Sequence, residues 1–323
     1  MRKSVLVSII IPCYNSSWSL PNLAANIAAI ELEDIEVVFI DDGSTDGSAQ
    51  IMQRLLPETV IVTQLNAGPS NARNKGLAIA QGDFIQFLDA DDTIEPGKLL
   101  AQTTQMQQEY LDVICSDWRV IFVNNDKSTY GPVVHAQYPS GDIVESLLGG
   151  WWAPPHAYLF RKQACLLVGG FDETVQHAAE DFDFILRIAM TGVRFGYLPK
   201  CYANYCRYQN ERPGRSQRDN FEFWQGMIQI IDCAIETLMQ RGDFTLQRRQ
   251  AAARQLFHIG QNVSDLDWPY FEELLTRVKE IDPNFHPPSS LLYQSVAGVF
   301  GTRRAERIAI FKRQFLKDIH RLH

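Results

Sequence analysis

Between Val5 and Leu88 short apolar runs alternate with amphipathic stretches, and this alternation restricts the fold more than any other feature of the sequence. Val5–Ile11 is apolar and β-branched almost throughout, as a parallel strand covered on both faces must be. Leu20, Leu23, Ile27 and Ile30 then recur at helical spacing, with Ser19 placed as a cap. Further strands are expected over Glu36–Ile40, Val60–Gln64 and Phe84–Leu88, and helices over Ser48–Leu56 and Ser70–Ala80. A β-α-β-α-β-α-β order predicts right-handed crossovers and an open, mostly parallel α/β sheet flanked by helices. Ligands of such sheets gather beyond the carboxyl ends of the strands. The polar clusters Pro12–Asn15, Asp41–Asp46 and Asp89–Asp92 fall at those ends.

From Pro96 to Tyr208 the pattern is less regular, with segments over Lys98–Gln108, Val113–Val123, Ile143–Leu148, Ala157–Arg161, Asp181–Thr191 and Cys201–Tyr208. The loop Trp151-Trp152-Ala153-Pro154-Pro155-His156 is aromatic and rich in proline, and Arg207–Asp219 is polar and Arg-rich, as a boundary would be. Residues 216–323 look almost wholly helical. The expected division of the 323 residues is therefore a domain over 1–215, with halves 1–110 and 111–215, and a helical C-terminal region over 216–323.

Composition removes several classes of function. With 46% hydrophobic and 21% charged residues the chain is ordinary globular material, not a disordered or collagen-like one. A net charge of −8 argues against a nucleic-acid binder, which needs a basic surface. Six scattered cysteines without a C-x-x-C pair speak against a zinc knuckle and a secreted disulfide scaffold, and suit a reducing, cytoplasmic compartment. No run of about 18 apolar residues offers a membrane-spanning helix.

Two acidic turns carry the chemistry. In Asp41-Asp42-Gly43-Ser44-Thr45-Asp46-Gly47, Thr45 and Asp46 are placed to cap the following helix, whereas Asp42 at the strand tip can accept from a nucleobase N–H. Pro12-Cys13-Tyr14-Asn15 beside it offers an aromatic ring for stacking. Asp89-Ala90-Asp91-Asp92 closes the fourth strand, and three acids in four positions repel one another unless a cation or donors compensate. Hard divalent ions take such oxygen ligands together with substrate phosphates. Arg73, about one turn into the third helix, is a charge partner either for the acidic site or for a diphosphate. Glu180-Asp181-Phe182-Asp183 opens a later helix; the helix dipole accounts for one or two of those acids, and a general base is the further reading.

Taken together, Val7–Asn15, Asp41–Asp46, Asn66-Ala67-Gly68 with Ala72-Arg73-Asn74, Phe87–Asp92, Gly169-Gly170-Phe171-Asp172 and Glu180-Asp181 resemble, in order, the family 2 glycosyltransferases, inverting enzymes of the GT-A fold. The resemblance covers roughly residues 4 to 210. It implies a nucleotide-sugar donor, most often UDP-linked, and Mn²⁺ or Mg²⁺ on the diphosphate. It implies that Asp42 binds the uracil edge, that Pro12, Tyr14 and Asn15 line the base pocket, and that Asp89 faces the ribose. Asp91 would ligate the metal and Asp181 would be the catalytic base, with Arg73 and Arg207 as helpers near the uridine or diphosphate. The family's Tyr-Arg-x-His-like stretch is here Tyr205-Cys206-Arg207-Tyr208-Gln209, without the histidine. Trp151, Trp152, His156 and Glu180 mark the expected acceptor region, the acceptor being a glycan, a lipid-linked sugar or a protein.

Near the C-terminus Ile308, Phe311, Phe315 and Ile319 share one helical face, flanked by Arg303, Arg304, Arg307, Lys312, Arg313, Lys317 and Arg321. Such a helix either docks on its own chain or a second copy, or lies on the inner face of an anionic membrane. A dehydrogenase would carry G-x-G-x-x-G and an NTPase a P-loop; neither motif is present. A sugar nucleotidyltransferase would carry a Gly-rich basic loop after the first strand, which is also missing. A donor-binding scaffold of the same fold is the remaining alternative.

Overall fold

The structure, a computed structural model, describes residues 7–124, 127–138, 141–175, 179–208, 221–287 and 291–310. It comprises two compact units, one formed by Met1–Pro139 with Trp152–Arg215, the other by Ser140–Trp151 with Ser216–His323.

The first unit is built around β1 (Val7–Cys13), whose Val7, Ile9, Ile10 and Ile11 are fully buried. The chain continues through α1 (Leu20–Ala28), β2 (Ile35–Asp41), α2 (Ser48–Leu55), β3 (Val60–Thr63), α3 (Pro69–Ile79) and β4 (Phe84–Phe87). β1 pairs in parallel with β2 and with β4, and β2 in parallel with β3, so the first four strands form the parallel sheet that the alternation predicts. Leu20, Leu23, Ala24 and Ile27 form the buried stripe of α1. Ser19 does not cap that helix. Its hydroxyl donates to the Ser16 carbonyl, and a proline in the first turn removes one of the N–H groups a cap would serve.

Next come β5 (Thr93–Ile94), α4 (Lys98–Gln108), β6 (Val113–Asn124), β7 (Lys127–Val134), α5 (Ile143–Leu148), β8 (Tyr158–Arg161), α6 (Lys162–Leu167), α7 (Glu180–Ala189) and β9 (Phe195–Tyr208). The sheet runs β3-β2-β1-β4-β8-β6-β9-β5, with β7 paired to β6. β8 enters antiparallel between β4 and β6, while β6 and β9 are parallel. β5 is two residues long, too short to show a period in sequence, and it exists because β9 offers it an edge. The core under this sheet joins β1, α1, β4 and α4 through Ile9, Leu23, Phe84, Leu99 and Met106.

The second unit is helical, with α8 (Phe221–Gln240), α9 (Leu246–Val263), α10 (Trp268–Ile281) and α11 (Leu291–Phe300). Phe257 packs on Phe271, Phe285 and Tyr293 at its centre. α5 belongs here, although its place in the chain set it in the 111–215 half: Asp142 caps α5 through the Val144 and Glu145 N–H groups and takes a 2.8 Å ion pair from Arg248 of α9. Residues 302–310 are helical. Phe311, Phe315 and Ile319, with most of their basic flank, lie outside the described residues, as does most of the Arg-rich stretch after Tyr208. Among the described residues no helix is long and apolar enough to cross a membrane.

Candidate active site

The site lies in the first unit, at the carboxyl ends of β1, β2 and β4. Asn15 sits in the left-handed region at φ 51°. Its N–H donates to Ser44 Oγ at 3.0 Å, and its Oδ1 accepts from the Thr45 N–H at 2.9 Å, which clasps the β1 and β2 loops together. Asp46 continues the clasp, accepting from the Ser17 N–H and from the Ser48 hydroxyl. Tyr14 is exposed beside this clasp, and Pro12 lies in β1 against Ile40.

Asp42 is buried, and its carboxylate is engaged. Oδ1 accepts from the Ala67 N–H and Gln64 Nε2, both at 2.8 Å, and Oδ2 from the Gly68 N–H at 2.9 Å. A β-carbon on Gly43 would stand 3.0 Å from the Asn66 nitrogen, and its φ is +79°, so glycine is what lets the β2 turn close on this loop.

Arg73 organises the acidic side. It is 3% exposed, and its Nη2 bonds Asp89 Oδ1 at 2.8 Å. Its Nη1 reaches Glu180 Oε1 and Asp181 Oδ1, each at 3.1 Å. The guanidinium also lies over the Phe171 ring, 5.2 Å from its centre. Phe171 is held there by Asn74, which accepts from its N–H and donates to its carbonyl. A β-carbon on Gly170, at φ +79°, would collide with the same Asn74 side chain. This is a structural reason for Gly170 and Phe171 in the Gly-Gly-Phe-Asp motif. The sequence marks Asn74 and Phe171 only as members of two ordered motifs, and assigns neither a role nor a contact with the other.

Asp181 is the chemically distinctive group. Burial, followed by the charges of Glu180, Asp89 and Asp92, pushes its carboxyl well above the ordinary range, against the opposing pull of Arg73. Among the described residues its Oδ1 receives no hydrogen bond, although the Arg73 cation stands beside it. A partly buried carboxylate with raised proton affinity and an enclosed oxygen short of a hydrogen-bond donor is suited to accept a proton.

Asp92 is also buried. It accepts from the Cys206 N–H at 2.8 Å, and its Oδ2 lies 3.1 Å from His156 Nδ1. Burial raises its carboxyl, with His156 acting in the opposite direction. His156 is thus an enclosed partner of the acidic turn, stacked 6.4 Å from Tyr205, and not an open wall residue. Burial, then the charges of Asp92 and Asp91, raise the Tyr205 phenol to about 12. Arg207 sits over Tyr205, 5.8 Å from the ring centre. Trp152 packs edge-on against Trp118, 5.6 Å away, while Trp151 belongs to the helical unit.

Arg73 therefore brings Asp89, Glu180 and Asp181 together, and Asp92 acts on Asp181 electrostatically. Among the described residues no three His, Cys, Asp or Glu side chains stand close enough to cage a metal by themselves. A divalent ion held by one or two carboxylates and completed by substrate phosphates fits the partly exposed Asp91, while Asp89 is already paired with Arg73.

Residues 8–165 match the family described as Glycosyl transferase family 2. The chain carries a family 2 glycosyltransferase domain. An uncharacterized glycosyltransferase from Haemophilus influenzae is 41% identical over 110 residues, 33% of this chain and 44% of that protein. A second from the same organism is 25% identical over 279 residues, covering 85% of this chain and 92% of its own length. The chain thus spans less than half the length of the first of these relatives. The crystal structure of S. aureus TarS 1-349 in complex with UDP-GlcNAc superposes with a TM-score of 0.59 at 18% identity, over 94% of this chain and 90% of that one. This likeness establishes the GT-A fold: a central sheet flanked by helices.

Proposed function

We propose that this chain is an inverting glycosyltransferase that moves a sugar from a nucleotide diphosphate donor, UDP-linked, to an acceptor hydroxyl by a single displacement in glycan synthesis. The observation that carries the proposal is Asp181: a raised, under-bonded carboxylate held by Arg73 beside the Asp89–Asp92 turn. In this reading Asp181 accepts the acceptor hydroxyl's proton as that oxygen attacks the anomeric carbon, a role worth about 10²–10⁴-fold. The leaving diphosphate gains negative charge as the glycosidic bond breaks. Asp91 would hold Mn²⁺ or Mg²⁺, which when bound supplies charge stabilisation to that leaving group, and Asp89 would face the ribose. Arg73 keeps Asp89 and Asp181 in fixed relation, a positioning task more than a direct contact with the diphosphate.

Asp42 supports the donor reading by way of its loop. Its three donors fix the 64–68 segment against β2, and a carboxylate with about four lone-pair positions keeps capacity for one base N–H. In this reading Tyr14, exposed beside the Asn15 clasp, lines the base pocket, and Arg207, which lies over the Tyr205 ring, is a helper near the diphosphate. The proposal is tested by thermal-shift titration with UDP-, GDP- and dTDP-linked sugars, each with and without Mn²⁺, followed by slow donor hydrolysis. Metal-dependent stabilisation by a UDP-sugar, and release of UDP, are expected. Stabilisation without any turnover would favour the scaffold alternative.

A further inference from the structure

Lys98 is fully buried and takes no part in the chemistry described so far. It opens α4, and its ammonium donates to three neutral acceptors: Gln86 Oε1, Gln102 Oε1 at 2.6 Å and the Tyr158 carbonyl at 3.1 Å. Those partners continue the network. Gln86 Nε2 donates to the Phe87 carbonyl at 2.7 Å and to the His156 carbonyl at 3.4 Å. Gln102 Nε2 and Ser116 Oγ both donate to the Ala157 carbonyl, each at 3.2 Å. Three consecutive carbonyls, of His156, Ala157 and Tyr158, are thus anchored to one buried polar cluster. The same cluster grips the last two residues of β4, immediately before Leu88 and the Asp89–Asp92 turn.

We propose that Lys98 is a positioning residue of the carboxylate site, tying the end of β4 to the turn that presents His156 and so fixing the Asp89–Asp92 turn for a metal-bridged diphosphate. The diphosphate clause rests on the function proposed above; the tie itself does not. An ammonium has three donors and no lone pair, which matches three acceptors, whereas a neutral amine has only two N–H groups for them. A lysine is an uneconomical way to fill a core unless the charge-assisted bonds themselves are needed. Burial pulls the amine down to about 7, and no carboxylate among the described residues pairs with it. The titratable group facing it is the Cys115 thiol on β6, pushed up by burial, with the Tyr158 phenol beyond that thiol. Both are neutral near pH 7. Raising the pH through 7 therefore removes one donor from the network, and diphosphate affinity should fall with it.

The experiment pairs two readouts on the full chain. In the ligand-free protein, hydrogen exchange in 86–92 and 155–160 should be faster by about tenfold in Lys98→Met than in wild type, with β2 and β3 unchanged. Calorimetric binding of UDP with Mn²⁺ should weaken in wild type by up to about tenfold per pH unit above 7, and this dependence should vanish in Lys98→Met. If that variant does not fold, Gln102→Leu, which keeps the lysine but removes one acceptor, should give the same faster exchange in 155–160. Unchanged exchange in the folded variant, or an identical pH slope with and without the lysine, overturns the inference. Failure of wild type to bind UDP at any pH sinks the donor reading instead, and the exchange data then decide the tie alone.

Discussion

Replacing Arg73 by methionine removes the cation that three carboxylates share while keeping most of its apolar stem over Phe171. The partners differ in exposure: Glu180 is 8% exposed, Asp181 18% and Asp89 31%. Deleting one member of a buried ion pair costs about 3–5 kcal/mol because the other charge stays behind. Asp89 counts for little in this sum, since water screens it, so Glu180 and Asp181 set the scale and about 3 kcal/mol is expected at pH 7.5. The pH dependence follows in sign. Without Arg73 the remaining carboxyls bind protons more tightly in the folded than in the unfolded chain, so stability falls as pH rises from 5 to 8. Adding Asp181→Asn to the methionine variant removes one orphaned charge and should return about 1–2 kcal/mol. Urea unfolding followed by tryptophan emission at pH 5, 6.5 and 8 measures all three numbers. A loss below about 1 kcal/mol at pH 7.5, or a double variant no more stable than the single one, would refute the view that Arg73 neutralises this cluster.

Asp181→Asn alone should lower sugar transfer by about 10²–10⁴-fold and leave UDP binding in Mn²⁺ unchanged by calorimetry; a variant that keeps most of its turnover removes Asp181 from the mechanism. Because the Asp181 carboxyl is raised by burial and its acidic neighbours, the acid limb of the pH–rate profile should lie above the ordinary carboxylate range, and a limb near 4 would contradict that assignment. Asp91→Asn should weaken UDP binding in the presence of Mn²⁺ and leave the metal-free affinity unaltered, seen by paired titrations. Gly82→Ala should destabilise the first unit by about 1–3 kcal/mol in urea, since the added carbon would stand 2.6 Å from the Ser8 backbone nitrogen and β1 cannot yield.

Local pattern was enough for the first half of the sheet. The β-branched run of β1 and the helical stripe of α1 each bury themselves by their own periodicity, so the first four strands and their parallel sense could be read from the chain, whereas the order β3-β2-β1-β4 came from the structure. The acidic turns could also be placed, because strand ends in an open α/β sheet have a fixed relation to the ligand edge. The two-residue β5 and the antiparallel entry of β8 could not, since neither has a period: each exists only where a neighbouring edge supplies partners.

Within the site, the sequence determined which residues carry charge, namely Asp42, Arg73, Asp89, Asp91 and Asp181, and their order along the chain. Only the tertiary structure decided which of them meet. Arg73 and Glu180 are 107 positions apart, and no spacing rule links them; they touch because Asn74 pins Phe171 and so brings the segment before α7 onto α3. His156 moved from an expected acceptor wall to a buried partner of Asp92 for the same kind of reason. A side chain's charge is a property of its residue, whereas its proton affinity and its neighbours depend on what folding places within a few ångströms and on how much water is excluded there.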